Sequence, residues 1–185
     1  MILIVGLGNP GKEYELTRHN VGFEIVDILS ESLESKSLYR KFNSLVIESS
    51  YGEKELLLIK PQIFMNNSGS AVAACMDSYG DEISSVMVIH DDIDIEPGKI
   101  KLKKGGSTAG HKGLESIAQK TGSNAFDRLR FGVGRPPGRM DPADFVLRHF
   151  KKSEITGVEL DISRSVDAIK DYVREGIDYA MNKYN

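Results

Sequence analysis

The chain has no tryptophan and a single cysteine, Cys75, in 185 residues. One cysteine excludes a disulfide within the chain. Its place in the apolar run Ala71–Met76 makes it a small buried hydrophobe, and a reducing, cytoplasmic setting fits. Long apolar runs are also missing, and nothing approaches the roughly 20 residues that a membrane-spanning helix needs. The opening run Ile2–Val5 lacks a basic flank and a cleavage site, so it reads as a strand and not as a signal peptide. There is no internal repeat, low-complexity tract or linker, and one domain over residues 1–185 is expected. What remains is an ordinary globular composition, 40% hydrophobic and 28% charged.

The net charge of −3 argues against general nucleic-acid binding, but the charge is unevenly placed. Pro97–Leu114 carries five lysines (Lys99, Lys101, Lys103, Lys104, Lys112) and no acid. Arg128–Met140 carries four arginines (Arg128, Arg130, Arg135, Arg139) and again no acid. Either window alone is as well read as a solvated strand face. Together they suggest a basic, phosphate-binding face on an acidic body.

Periodicity supplies the elements. Val21–Leu33 places Val21, Ile25, Ile28, Leu29 and Leu33 on one helical face. Tyr39–Ser50 and Lys54–Pro61 read as an antiparallel hairpin about Tyr51-Gly52-Glu53, the second strand apolar enough to be central. A helix is expected over Ser70–Tyr79, capped by Asn67 or Ser68, and another from about His111 to Lys120, ending near Gly122. Val86–Ile89, Lys99–Lys104 and Arg128–Gly134 are further strands, and Gly134–Pro142 is a loop. From Ile155 to Tyr184, apolar residues at steps of three and four predict a long helix, interrupted near Gly157 or Gly176. Strands interleaved with helices give an α/β domain with a mixed central sheet flanked by helices.

Gly6, Gly8 and Gly11 satisfy G-x-G-x-x-G after a strand, the mark of a dinucleotide-binding turn. That turn must open directly into a helix. Here Asn9 precedes Pro10 and is pushed away from helical geometry, and Lys12–His19 has no apolar stripe. The stretch instead delivers Asn9, Tyr14 and His19 to a cleft, and a nucleotide-dependent oxidoreductase becomes a minor alternative.

Asn9 with His19, Asn66 with Asn67, and Asp91 all fall where strands end or loops begin, where α/β folds place their chemistry. A histidine takes a proton from water near neutral pH, and a carboxylate on its other nitrogen fixes the tautomer. Amides of Asn9 and Asn66 are suited to a developing oxyanion. The competing readings make His19 a cap for the next helix and Asp91 a turn residue. No G-x-S-x-G occurs, and Gly105–Gly110 lacks the Lys-Ser/Thr ending of a P-loop. His90, Asp91, Asp92 and Asp94 match no recognised metal spacing. Phe64 and Met65 read first as core, though beside Asn66 they also suit the lip of a pocket.

Four stretches, IVGLGNPGKEYELTRHNVGF, PQIFMNNSG, VIHDDIDIEPGKIKLKKGGSTAGHKGL and RLRFGVGRP, together resemble the bacterial peptidyl-tRNA hydrolase family over nearly the whole chain. The resemblance implies hydrolysis of the ester joining a peptide to the 3′ end of tRNA. It implies His19 as catalytic base, Asp91 as its supporting carboxylate, and Asn9 as the residue favouring substrates with a blocked amino end. Tyr14, Phe64 and Asn66 match positions lining the site for the 3′ end and peptide backbone. Lys103 and Arg130 match positions used on tRNA phosphates. The Gly134–Pro142 loop and the start of the last helix correspond to a cover over the cleft. The family implies a monomer needing no cofactor and no metal, with no membrane and no obligate protein partner. One departure stands out. Where the family usually reads Gly-His-Asn-Gly, this chain has Gly110-His111-Lys112-Gly113. Lysine offers only donors and a charge, so Lys112 is expected to serve substrate binding more than chemistry. The alternative function is a non-catalytic RNA-binding homologue of the same fold.

Overall fold

The computed structural model describes the backbone of residues 1–185 and the side chains of all but residues 34–36. Seven strands form one sheet: β1 (Ile2–Gly6), β2 (Glu34–Lys41), β3 (Ser44–Tyr51), β4 (Lys54–Pro61), β5 (Ser85–Asp92), β6 (Ile100–Lys104) and β7 (Asp127–Gly132), in the order β2-β3-β4-β1-β5-β7-β6. The run ILIVG of β1 is buried throughout, and the strand lies parallel to β4 on one side and β5 on the other. β7 joins β5 in parallel, while the β2–β3, β3–β4 and β6–β7 pairs are antiparallel. The sheet is therefore mixed, as the hairpin pattern implied. The C-terminal ends of β1, β4, β5 and β7 gather at one edge, where loops of such sheets meet ligands.

One expected strand is two. Residues 39–50 do not run straight: Lys41 pairs with Ser44 across Phe42-Asn43, whose φ angles are +54° and +50°. Two successive left-handed residues make the tight turn whose twist matches a hairpin. The hairpin between β3 and β4 stands as expected, and β4 is an inner strand, which its apolar Leu56–Ile59 requires.

Six α-helices cover the sheet: α1 (Val21–Glu31), α2 (Ser68–Tyr79), α3 (Lys112–Thr121), α4 (Pro142–Val146), α5 (Ile155–Glu175) and α6 (Ile177–Tyr184). Side chains alternate across each strand, so Ile4 and Leu58 pack with Ile25 of α1 and Ile169 of α5. Leu3 and Leu57 pack on the other face with Val72 and Cys75 of α2 and Leu114 of α3. The long C-terminal pattern breaks at Gly176, with φ +87°, whereas Gly157 lies inside α5. At the outer edge of the sheet, the Asn185 amide accepts from Leu102 N–H of β6 at 2.7 Å and donates to Leu102 C=O at 3.0 Å. No described helix is long and apolar enough to cross a membrane.

Candidate active site

β1 ends at Gly6 directly against α1. A Cβ on Gly6 would stand 2.3 Å from Gly22 O, and one on Gly22 would stand 2.5 Å from Leu7 N. Glycine is needed here because two backbones touch. The contact folds the intervening chain back on itself. Asn9 N–H donates to Asn20 Oδ1 and Asn20 Nδ2 donates to Asn9 C=O, each at 2.9 Å. Asn9 Oδ1 accepts from Met65 N–H at 2.7 Å, which orients the amide and leaves Nδ2 as the end facing the cleft. Short 3₁₀ turns at Lys12–Tyr14 and Arg18–Asn20 then carry Tyr14 and His19 to the same cleft.

Asp91, near the end of β5, is 2% exposed and is the hub of the site. His19 Nδ1 lies 2.7 Å from its Oδ1, and His111 Nε2 lies 3.0 Å from the same oxygen. His111 is the N-cap of α3, and its Nδ1 accepts from Gly113 N–H at 3.2 Å and Leu114 N–H at 3.4 Å. An accepting Nδ1 places the proton on Nε2, so neutral His111 donates to Asp91. Burial pushes the Asp91 carboxyl upward, but the His19 and His111 rings pull it further down, leaving it well below the usual carboxylate range. An ionised Asp91 accepts a hydrogen bond from His19 Nδ1–H, so the His19 Nε2 lone pair is free for a proton from the cleft. The capping alternative for His19 does not hold: Asn20 stands at the start of α1, and no side chain caps that helix.

Beneath this pair lies His90, whose Nδ1 donates to Asp91 C=O at 2.7 Å and whose ring meets His111 at 4.9 Å, edge to face. Burial, with His111 beside it, drives His90 well below the usual histidine pKa, so it stays neutral. His19, Asp91 and His111 hold three donor atoms within 4.8 Å of one another, a set that zinc accepts. Both nitrogens, however, are engaged with the single Asp91 oxygen.

The cleft above these groups encloses about 840 Å³ and includes Asn9, Tyr14, His19, Phe64, Asn66, Asp91 and Lys112 among its walls. Met65 is buried, whereas Phe64 is 56% exposed and meets Tyr14 edge-on at 6.3 Å, so Phe64 is lip and Met65 is core. Lys112 projects outward and pairs with Glu115 at 3.1 Å, both well exposed. Lys103 and Arg130 lie outside the cleft, on one face of the β6–β7 ribbon. Arg130 Nε donates to Asp92 Oδ2 at 2.8 Å. Of the expected cover segment, Asp141 and Pro142 wall the cleft, with Ala143, Val146 and Leu147 beyond them, while Gly134, Arg135, Pro137 and Met140 line a separate hollow.

Two functional residues escape a reading of the sequence. His111 had a usable signal, a histidine at the start of an amphipathic helix, where Ser, Thr, Asp or Asn is the usual cap. Arg128 had none beyond charge. It is 2% exposed, and its guanidinium donates to Ser107 C=O at 2.6 Å and to Gly106 C=O, holding the Gly105–Gly110 loop that leads to His111.

The fold and site define a class, an α/β protein with a carboxylate-backed imidazole in an open cleft at the C-terminal edge of its sheet. A family profile described as peptidyl-tRNA hydrolase matches residues 3–185. A peptidyl-tRNA hydrolase of Anaeromyxobacter dehalogenans is 42% identical over 185 residues, covering 100% of this chain and 96% of that protein. One from Listeria innocua is 43% identical, with 100% of both covered. The crystal structure of peptidyl-tRNA hydrolase from Acinetobacter baumannii superposes with a TM-score of 0.90 at 33% identity, covering 100% of this chain and 96% of that one. The chain belongs to the peptidyl-tRNA hydrolase family.

Proposed function

We propose that the cleft hydrolyses the ester between a peptide and the 3′-terminal ribose of tRNA, with His19 as general base. The observation that carries this reading is the sharing of Asp91 Oδ1 by His19 Nδ1 and His111 Nε2, which commits the Nδ1 proton and turns His19 Nε2 to the solvent side. His19 Nε2 takes a proton from water as the water oxygen bonds to the ester carbonyl carbon. The C–O bond to ribose then breaks, and His19 returns the proton to the leaving 3′ oxygen. Acid and alcohol are the products, with no covalent enzyme intermediate. Asn9 Nδ2 and the Asn66 amide face the developing oxyanion, where a well-placed donor lowers the barrier by several kcal/mol. Tyr14 and Phe64 offer a surface for the 3′ end and the peptide backbone, and Lys112 adds a cation at the rim. Lys103 and Arg130 serve tRNA phosphates, supported by Lys101 on the same face of the ribbon.

The test is cleavage of peptidyl-tRNA at several salt concentrations by the wild type and His19→Ala. Loss of the base is expected to lower kcat by about 10²–10⁴-fold. Phosphate contacts are expected to make affinity fall with rising salt. Binding of tRNA without cleavage by the wild type, or near-full turnover by His19→Ala, overturns the reading.

A further inference from the structure

Arg18 precedes His19 and takes no part in the chemistry above, yet it is 3% exposed and almost fully engaged. Its Nη1 donates to Arg148 C=O at 3.1 Å and His149 C=O at 2.8 Å. Its Nη2 donates to both Glu154 oxygens, at 3.1 and 2.8 Å. The guanidinium lies 4.4 Å from the Phe145 ring centre and 5.0 Å from that of Phe150. The backbone repeats the connection: Arg18 N–H donates to Arg148 C=O at 3.2 Å, and Thr17 bridges to His149.

Every one of these partners falls in residues 145–154, the end of α4 and the chain beyond it. α4 has only five residues, far fewer than a helix needs to hold itself together. Its Pro142, Ala143 and Val146, with Leu147 just beyond, wall the substrate cleft, whereas Phe145 turns to Arg18. The cleft wall is thus held from behind by one buried cation on the turn that carries His19. A planar guanidinium is the group that suits this place, since it can reach two carbonyls and a carboxylate at once while stacking on aromatic rings.

We infer that Arg18 is a positioning residue that fastens α4 against the cleft, so that substrate affinity is set by a clamp outside the substrate's reach. The inference rests on the hydrolytic reading of the cleft, but its first measurement does not. Glu154 is the accessible half of the clamp, its side chain 30% exposed, and is the place to loosen it. Hydrogen exchange in Glu154→Ala is expected to quicken at Arg18, Phe145 and Arg148, whose amides donate to the Arg148, Asp141 and Phe145 carbonyls in turn, and to stay unchanged in α1 and β5. For peptidyl-tRNA cleavage, KM is expected to rise about tenfold while kcat stays within about twofold, the pattern of lost uniform binding. Glu154→Gln, which keeps one acceptor, falls between, as does Arg18→Lys if it folds. Unchanged exchange at those three amides, faster exchange throughout the sheet, or a fall in kcat at constant KM overturns the inference. If the wild type cleaves nothing, the functional reading fails, and exchange alone decides the clamp.

Discussion

Two glycine-rich loops reach the same cleft, residues 6–11 after β1 and residues 105–110 after β6, and they depend on glycine for different reasons. At Gly6 and Gly8 of the first, space is the constraint. Gly6 has backbone within 2.3 Å of where a Cβ would stand, and Gly8 has the Phe23 ring within 2.8 Å. In the second, backbone conformation is the constraint. Gly105, Gly106 and Gly110 have φ of +55°, +100° and +78°, and nothing stands within 4 Å of a Cβ on Gly110. The first loop is held by what packs against it, the second by the Arg128 guanidinium beneath it. Each delivers a side chain to the cleft, Asn9 from one and His111 just after the other. The same residue type therefore marks a close backbone crossing at Gly6 and an open, left-handed position at Gly110.

The widest test of this contrast pairs Gly22→Ala with Gly110→Ala. At Gly22 the new methyl meets Leu7 backbone at 2.5 Å and Ile89 O at 2.6 Å, so overpacking is expected to cost about 3 kcal/mol in denaturant unfolding. At Gly110 only the left-handed φ is penalised, at about 1 kcal/mol. Equal losses would erase the distinction. Arg128→Lys sharpens it next. An ammonium lacks the planar fork that serves the Gly106 and Ser107 carbonyls together, and about 2 kcal/mol is expected to be lost, with faster exchange at His111, whose N–H is bonded to Thr108 C=O, and none at Asn9. Exchange quickened equally at both loops would show that they are one unit.

The last effect is a pH slope beneath the second loop. His90 is held neutral in the fold, with its pKa well below the ordinary 6.5, while the unfolded chain takes up that proton near 6.5. The unfolded state binds more protons below that pH, so stability falls as pH drops, by up to about 1.4 kcal/mol per unit for the one site. His90→Asn is expected to flatten that slope below about pH 6.5 in unfolding titrations. An unaltered slope would remove His90 from the account.

Much of this was legible before any coordinates. The apolar runs at Ile2–Val5, Leu56–Ile59 and Val86–Ile89 are inner strands, and Asn9, His19 and Asp91 meet in one cleft. The failures have local causes. Phe42-Asn43 hid a turn because the usual signal there, Asn-Gly, is absent. α4 was missed although Asp141-Pro142 is a helix start, with Asp141 Oδ1 accepting from Ala143 N–H at 2.7 Å, because five residues are too few for periodicity to show. His111 and Arg18 were missed because their partners lie 20 and 136 residues away in the chain, distances that spacing does not encode.

The Asn185 amide on β6 has a bearing on association. A sheet edge offers free N–H and C=O groups to any passing strand, and β6 is such an edge. By giving Leu102 both an acceptor and a donor, a single side chain stands in for one residue of a neighbouring strand. One outward pair, at the middle of the strand, is already occupied, while Lys101 and Lys103 charge the flanks. The terminal strand thereby offers one fewer free pair to a neighbouring chain, although no eighth strand covers it.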